Sequence, residues 1–136
     1  MSIHSEAQLD RKILEMLKLL NIYLNHFPHH EKYGLAQQIR QTAYDMYGFV
    51  IEAQKRYHKK TALSSMDVTH EKLRMFIRLA YELGYFSFKD SRKESGAEQT
   101  SEHRYVAISR IIDEIGRMIG GWVVAARGEK VVGEAS

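Results

Sequence analysis

The chain contains no cysteine, which excludes disulfides, thiolate-held metals and cysteine nucleophiles together. It has one proline, Pro28, and no run of strand-like residues bounded by turn signals. Long stretches are therefore left free for helix, since proline is the strongest breaker. No apolar stretch approaches the ~18 residues needed to cross a bilayer, and no basic-apolar-small pattern opens the chain; no membrane partner is expected, and the expected location is cytoplasmic. Phosphate-binding glycine loops are missing too, because Gly120-Gly121 falls late in a helical pattern rather than after a strand. Ser64, Ser65, Ser87, Ser91, Ser95, Ser101 and Ser109 have no recognisable base-and-orienter partners. Nothing in the sequence supports an enzyme or a cofactor.

What is present is helical periodicity. With 136 residues, 44% of them hydrophobic and 27% charged, the chain can bury one continuous core. Leu9, Ile13, Met16, Leu20, Tyr23 and Phe27 recur at steps of three and four, which predicts a helix over about residues 6 to 25, ended by Pro28. Leu35, Ile39, Ala43, Met46, Val50, Ala53 and Tyr57 predict a second over about 30 to 57, interrupted by Gly34 and Gly48 at ~1 kcal/mol each. Leu63, Met66, His70, Leu73, Ile77 and Ala80 predict a third over about 61 to 84, stopped by Gly84. Residues 87–100 lack periodicity and predict a loop, after which Thr100 or Ser101 can cap a fourth helix carrying Tyr105, Ile108, Ile112, Ile115, Ile119 and Trp122. Rods of similar length with short connections imply an all-α, up-down-up-down antiparallel four-helix bundle over residues 1–126. Residues 127–136 are expected to form a flexible tail.

The net charge of +3 is confined to one block. Charges before Glu31 cancel, as do those after Lys60, whereas between them Lys32, Arg40, Lys55, Arg56, Lys59 and Lys60 outnumber Glu31, Asp45 and Glu52. Lys55, Arg56, Lys59 and Lys60, interleaved with Tyr57 and His58, could hold phosphates and stack a base. They could instead complement a helix dipole, worth ~0.3 to 1 kcal/mol, although four cations in six residues exceed what a cap requires. On the third helix Asp67, Glu71, Arg74, Arg78 and Glu82 share one row, open to reading as an ion-pair ladder or as a binding face. Tyr33, Gln37, Arg40, Tyr44 and Tyr47 form a second face of the second helix, either a subunit contact rich in Tyr and Arg or simply a wide core stripe. His26, His29, His30 and Glu31 crowd around Pro28, but without a matching cluster on a facing helix a metal site is not expected there. His70 is expected to be a hydrogen-bonded residue at the core boundary.

Four segments carry a family likeness. Phe27-Pro-His-His-Glu-Lys-Tyr-Gly-Leu-Ala-Gln-Gln-Ile-Arg40 resembles the start of the second helix in bacterial four-helix-bundle proteins that include those encoded in ribosomal RNA intervening sequences. Glu52-Ala-Gln-Lys-Arg56 with Lys59-Lys60, Lys72-Leu-Arg-Met-Phe-Ile-Arg-Leu-Ala80 with Leu83-Gly-Tyr85, and Ile112-Asp-Glu-Ile-Gly-Arg-Met-Ile-Gly-Gly-Trp122 resemble the accessory variability determinant branch of diversity-generating retroelements. The likeness covers roughly residues 8 to 124, and the loop over 88–100 looks longer than in relatives. What the resemblance implies is a non-catalytic homopentamer that associates with the retroelement's reverse transcriptase and with template RNA or DNA. It supports the error-prone complementary-DNA synthesis that diversifies a target gene. The matching positions are Lys55, Arg56, Lys59, Lys60, Arg74 and Arg78 for nucleic acid or partner, while Tyr33, Arg40, Tyr44, Tyr47 and Arg117 are candidates for a subunit contact. The competing expectation is an intervening-sequence-type protein acting on RNA or as a protein-only scaffold.

Overall fold

The computed structural model describes residues 3–55, 59–89 and 97–135, which form four helices and no strand. Helix α1 spans Ile3–Leu24, α2 Leu35–Gln54, α3 Lys59–Glu82 and α4 Ala97–Ala135. Each helix packs on its neighbours in sequence and α1 closes the ring against α4, whereas among the described residues α1 and α3, like α2 and α4, make no close backbone approach. The result is a four-helix bundle with α2 and α4 at opposite corners. Its antiparallel sense is fixed by cross-links: Gln54 donates to Asp10 at one end of the α1–α2 pair (3.1 Å) and Arg40 donates to Asn21 nearer the other (2.8 Å).

The apolar stripes become the core because each lies on one face of a 3.6-residue helix. Leu9, Ile13, Met16 and Leu20 of α1, Ile39, Ala43, Met46 and Val50 of α2, Leu73 and Ile77 of α3, and Ile108, Ile112, Ile115 and Ile119 of α4 are all buried. The closest-packed pair is α2–α3, where small Ala43, Ala53, Ala62 and Ala80 are buried. Phe86 is fully buried although it follows the last turn of α3, and it joins Tyr23, Phe27 and Tyr105 in an aromatic plug at the Pro28 end of the bundle.

Several boundaries differ from those the periodicity predicts. Past Pro28 the chain makes a 3-10 turn at His29–Glu31, and α2 begins only at Leu35, so Gly34 is its N-cap rather than an interruption. Glu31 serves this start: its carboxylate accepts the Leu35 N–H (3.2 Å) and the Tyr85 hydroxyl (2.7 Å). These donors, the tyrosine first, hold Glu31 below its ordinary carboxyl pKa and push the Tyr85 phenol up. Helix α3 ends as expected on Gly84, with φ of 80°, in a Schellman motif: Tyr85 N–H bonds the Ala80 carbonyl (3.0 Å) and Gly84 N–H that of Tyr81 (2.9 Å).

Thr100 and Ser101 do not cap α4; they are buried within it, three and four residues past its start. At its far end α4 continues helical through residues 127–135, where a tail is expected from the glycines. Gly128 and Gly133 lower helix propensity by ~1 kcal/mol each, which a 39-residue helix can absorb. The predicted end of the second helix at Tyr57 and residues 90–96 of the third loop lie outside the described residues.

Candidate nucleic-acid interface

The antiparallel topology gathers the start of α1, the end of α2, the start of α3 and the late turns of α4 at one pole. Lys55 is the C-cap of α2, and its side chain is exposed. Arg56, Tyr57 and His58 lie outside the described residues. Lys59 and Lys60 are the first two residues of α3. The Lys59 ammonium lies 6.0 Å from the centre of the buried Trp122 ring, while Lys60 projects into solvent. Helix polarity separates these cations. Lys55 sits where a helix C-terminus favours positive charge, but the first turn of α3 disfavours it and holds no acidic residue. Dipole complementation therefore accounts for Lys55 and does not account for Lys59 and Lys60.

Beside these lysines runs an open groove of about 560 Å³ between α3 and α4. Leu63, Val123 and Ala126 form its apolar floor; Lys59, Lys60 and Arg127 supply its cations; Ser64 and Asp67 complete the lining. Arg127 is exposed and was not legible as a site residue from periodicity, which places it in a tail. The signal that could have found it is pairing: if α4 continues antiparallel to α3, residues near 127 must draw level with residues near 59.

The α3 row is a ladder in the structure. Arg74 donates twice to Glu71 (2.8 and 3.2 Å), and Arg78 lies 3.8 Å from Glu82. The pairing lowers the Glu71 pKa and raises that of Arg74. With Asp67, three carboxylates face two guanidiniums, so this row is not a positive surface by itself. Next to it, opposite the core, exposed Val68, Met75, Leu79 and Leu83 form an apolar stripe.

The residues expected at a subunit contact separate. Tyr33 is 81% exposed and Tyr44 46%, but Arg40 is engaged across the α1–α2 seam by Asn21 and Asn25 (2.8 and 3.3 Å), and Tyr47 packs half-buried against the core. Arg117 is exposed on α4, at the corner of the bundle opposite α2. Two of the three histidines around Pro28 are drawn into ring contacts: His26 stacks on Phe88 at 4.4 Å and His30 meets the edge of Tyr85 at 6.3 Å. Among the described residues no group of three or more His, Asp or Glu is placed to hold a metal ion, and no helix is long and apolar enough to cross a membrane. His70 does bond at the core boundary, its Nε2 donating to the Ile112 carbonyl at 2.8 Å.

Four antiparallel helices, with cations gathered at one pole and a charged-apolar outer face on α3, define a helical bundle protein. Residues 8–126 match the model of the bAvd-like family, and the chain belongs to that family, the accessory variability determinant group. Among curated proteins none matches it.

Proposed function

We propose that the chain is a non-catalytic accessory protein of a diversity-generating retroelement, an adaptor that grips template RNA or DNA electrostatically and docks the reverse transcriptase through a separate protein face. The observation that carries the nucleic-acid half is the placement of Lys59 and Lys60 on the first turn of α3, against the helix dipole, with Lys55 and Arg127 on the same pole. Exposed Lys60, held where it costs helix stability and in no ion pair among the described residues, is explained by an anionic partner. Lys55 and Lys60 enter no ion pair among the described residues, so phosphates can reach them without displacing a carboxylate.

The α3 outer face suits the protein contact. Arg74 and Arg78 border exposed Met75 and Leu79, and apolar area edged by arginine is what protein interfaces use. Homopentamer formation belongs to the same reading. Tyr33 just before α2 and Tyr44 on α2 are exposed at one corner of the bundle and Arg117 on α4 at the opposite corner, which suits a head-to-tail ring, where each subunit presents two different patches.

Gel retardation of single-stranded template RNA over a salt series tests the proposal. Occupation of Lys55, Lys59, Lys60 and Arg127 by phosphates gives a log–log salt slope of roughly −3, from about 0.7 per neutralised phosphate. Lys55→Glu with Lys60→Glu should abolish retardation, whereas Arg74→Glu with Arg78→Glu should spare most of it and lose co-purification with the reverse transcriptase. Absence of retardation of any RNA or DNA at low salt would overturn the nucleic-acid half and leave a protein-only scaffold. Mass measurement of the free protein checks the pentamer.

A further inference from the structure

The groove between the start of α3 and the late turns of α4 has a chemistry that a phosphate-gripping pole alone does not need. Bare cations suffice to hold a backbone, yet here they stand at the mouth of an apolar slot with a carboxylate inside it. We propose that this groove is a subsite for one unstacked nucleotide, with guanine the base it fits best. The inference rests on the nucleic-acid reading above and adds a contact to the base.

Each part of the lining has a matching part of the ligand. Lys60 and Arg127 meet the 5′-phosphate. Leu63, Val123 and Ala126 offer a low, apolar bed for the flat face of a base. Along α3, Asp67 lies seven residues beyond Lys60, about 10 Å up the helix axis at 1.5 Å per residue. That is the scale of the span from a 5′-phosphate to the hydrogen-bonding edge of its base. The Asp67 carboxylate accepts hydrogen bonds and cannot donate them. Guanine presents two adjacent N–H donors on one edge, N1 and N2, the pair that a carboxylate accepts side by side. The groove volume of about 560 Å³ falls within the range of small-molecule sites, roughly 300–1,000 Å³.

Asp67 also decides against the other occupant that a cationic apolar slot could take, an acidic amphipathic segment of a protein. A carboxylate in the lining repels such a segment, whereas it is a partner for a base. Ser64, one turn before Asp67 on α3, adds a hydroxyl that can donate or accept toward the ribose.

The protein carries a reporter for this site. Trp122 is the single tryptophan, and the centre of its ring lies 6.0 Å from the Nζ of Lys59, which lines the groove. The test is titration of the full chain with 5′-GMP, 5′-UMP and guanosine, following Trp122 emission corrected for nucleotide absorption. Saturable quenching by 5′-GMP is expected, with affinity about tenfold weaker for guanosine, which lacks the phosphate, and about tenfold weaker for 5′-UMP, which lacks the paired donors. Lys60→Glu should reduce 5′-GMP binding about as much as removing the phosphate does. Asp67→Asn should erase most of the preference for guanine. Ala126→Phe should fill the slot and abolish quenching; Lys60 and Asp67 are exposed, so their variants test the site even if Ala126→Phe fails to fold.

No saturable quenching by any nucleotide, quenching that survives Ala126→Phe in a folded protein, or tighter binding of an acidic peptide than of 5′-GMP would overturn the subsite. Retardation of long RNA by the same preparation separates the two claims. If it persists while mononucleotides fail, only the subsite falls; if wild-type protein shows neither, the nucleic-acid reading falls with it.

Discussion

Alanine at Gly116 is expected to destabilise the protein, whereas alanine at Gly120 or Gly121 in the same helix is expected to stabilise it. All three are interior positions of α4, and by helix propensity alone each replacement should gain roughly 0.8–1 kcal/mol. The surroundings separate them. A Cβ on Gly116 would stand 2.6 Å from Cε1 and 2.7 Å from Nε2 of His70, closer than real Cβ contacts come, while nothing lies within 4 Å at Gly120 or Gly121. The His70 ring cannot simply swing aside, because its Nε2 donates to the Ile112 carbonyl at 2.8 Å. Losing that bond costs about 0.5–1.5 kcal/mol, and forcing the helices apart or the ring off its rotamer costs about 1–3 kcal/mol more. After the propensity gain, Gly116→Ala should lower stability by about 1–3 kcal/mol.

Urea unfolding at fixed protein concentration measures this as a shift in midpoint at constant slope. The decisive variant is Gly116→Ala in a His70→Ala background. With the ring gone the atoms closer than 3.4 Å to the added methyl are removed, so the substitution should change sign and stabilise, with a coupling energy of about 2 kcal/mol or more between the sites. If Gly116→Ala raises the midpoint of the wild-type protein as much as Gly120→Ala does, the close approach of α3 to α4 at His70 is not as described.

Arg104 is 3% exposed, donates to the Phe86 and Phe88 carbonyls at 2.8 and 2.7 Å and lies 3.6 Å over the Phe88 ring; Arg104→Ala should cost about 3 kcal/mol or more in calorimetric stability. A loss under about 0.5 kcal/mol would mean those carbonyls find other donors. Glu31 is held below its ordinary pKa by Tyr85 and the Leu35 N–H, so its contribution is complete above the unfolded carboxyl pKa and is lost as pH falls through the lower folded value. Tyr85→Phe should flatten the acid limb of the stability profile, and an unchanged limb would remove Glu31 from the account.

The four helices and most of the core were legible in the sequence because burial on one side of a helix imposes a three-and-four spacing that survives in the residue order. Leu9 to Leu20, Ile39 to Val50 and Ile108 to Ile119 all sit where their spacing places them. The Gly84 cap was equally legible, since a left-handed backbone selects glycine locally. Phe86 and Arg104 were not: each is buried by partners distant along the chain, Phe86 by Tyr23, Phe27 and Tyr105, and Arg104 by the carbonyls it must satisfy. The start of α2 was misplaced because the competition between a 3-10 turn and a helix after Pro28 is decided by Glu31 reaching Leu35 and Tyr85, and Tyr85 is 54 residues away.

By itself the sequence determined an all-helical chain, its antiparallel connectivity, the confinement of net positive charge to Glu31–Lys60 and the likeness to a family. These follow from local periodicity, short connections and composition, which do not depend on what lies across the bundle. Only the tertiary structure decided which cations are available. Arg74 and Arg78 proved to be laddered to Glu71 and Glu82, Arg40 spans the seam to α1, and Arg127 stands level with Lys59 and Lys60 beside an apolar groove. The physical reason is that a charge's partners and the solvent around it are set by helices far away in sequence. A row of residue types records which charges exist but not which of them are already satisfied.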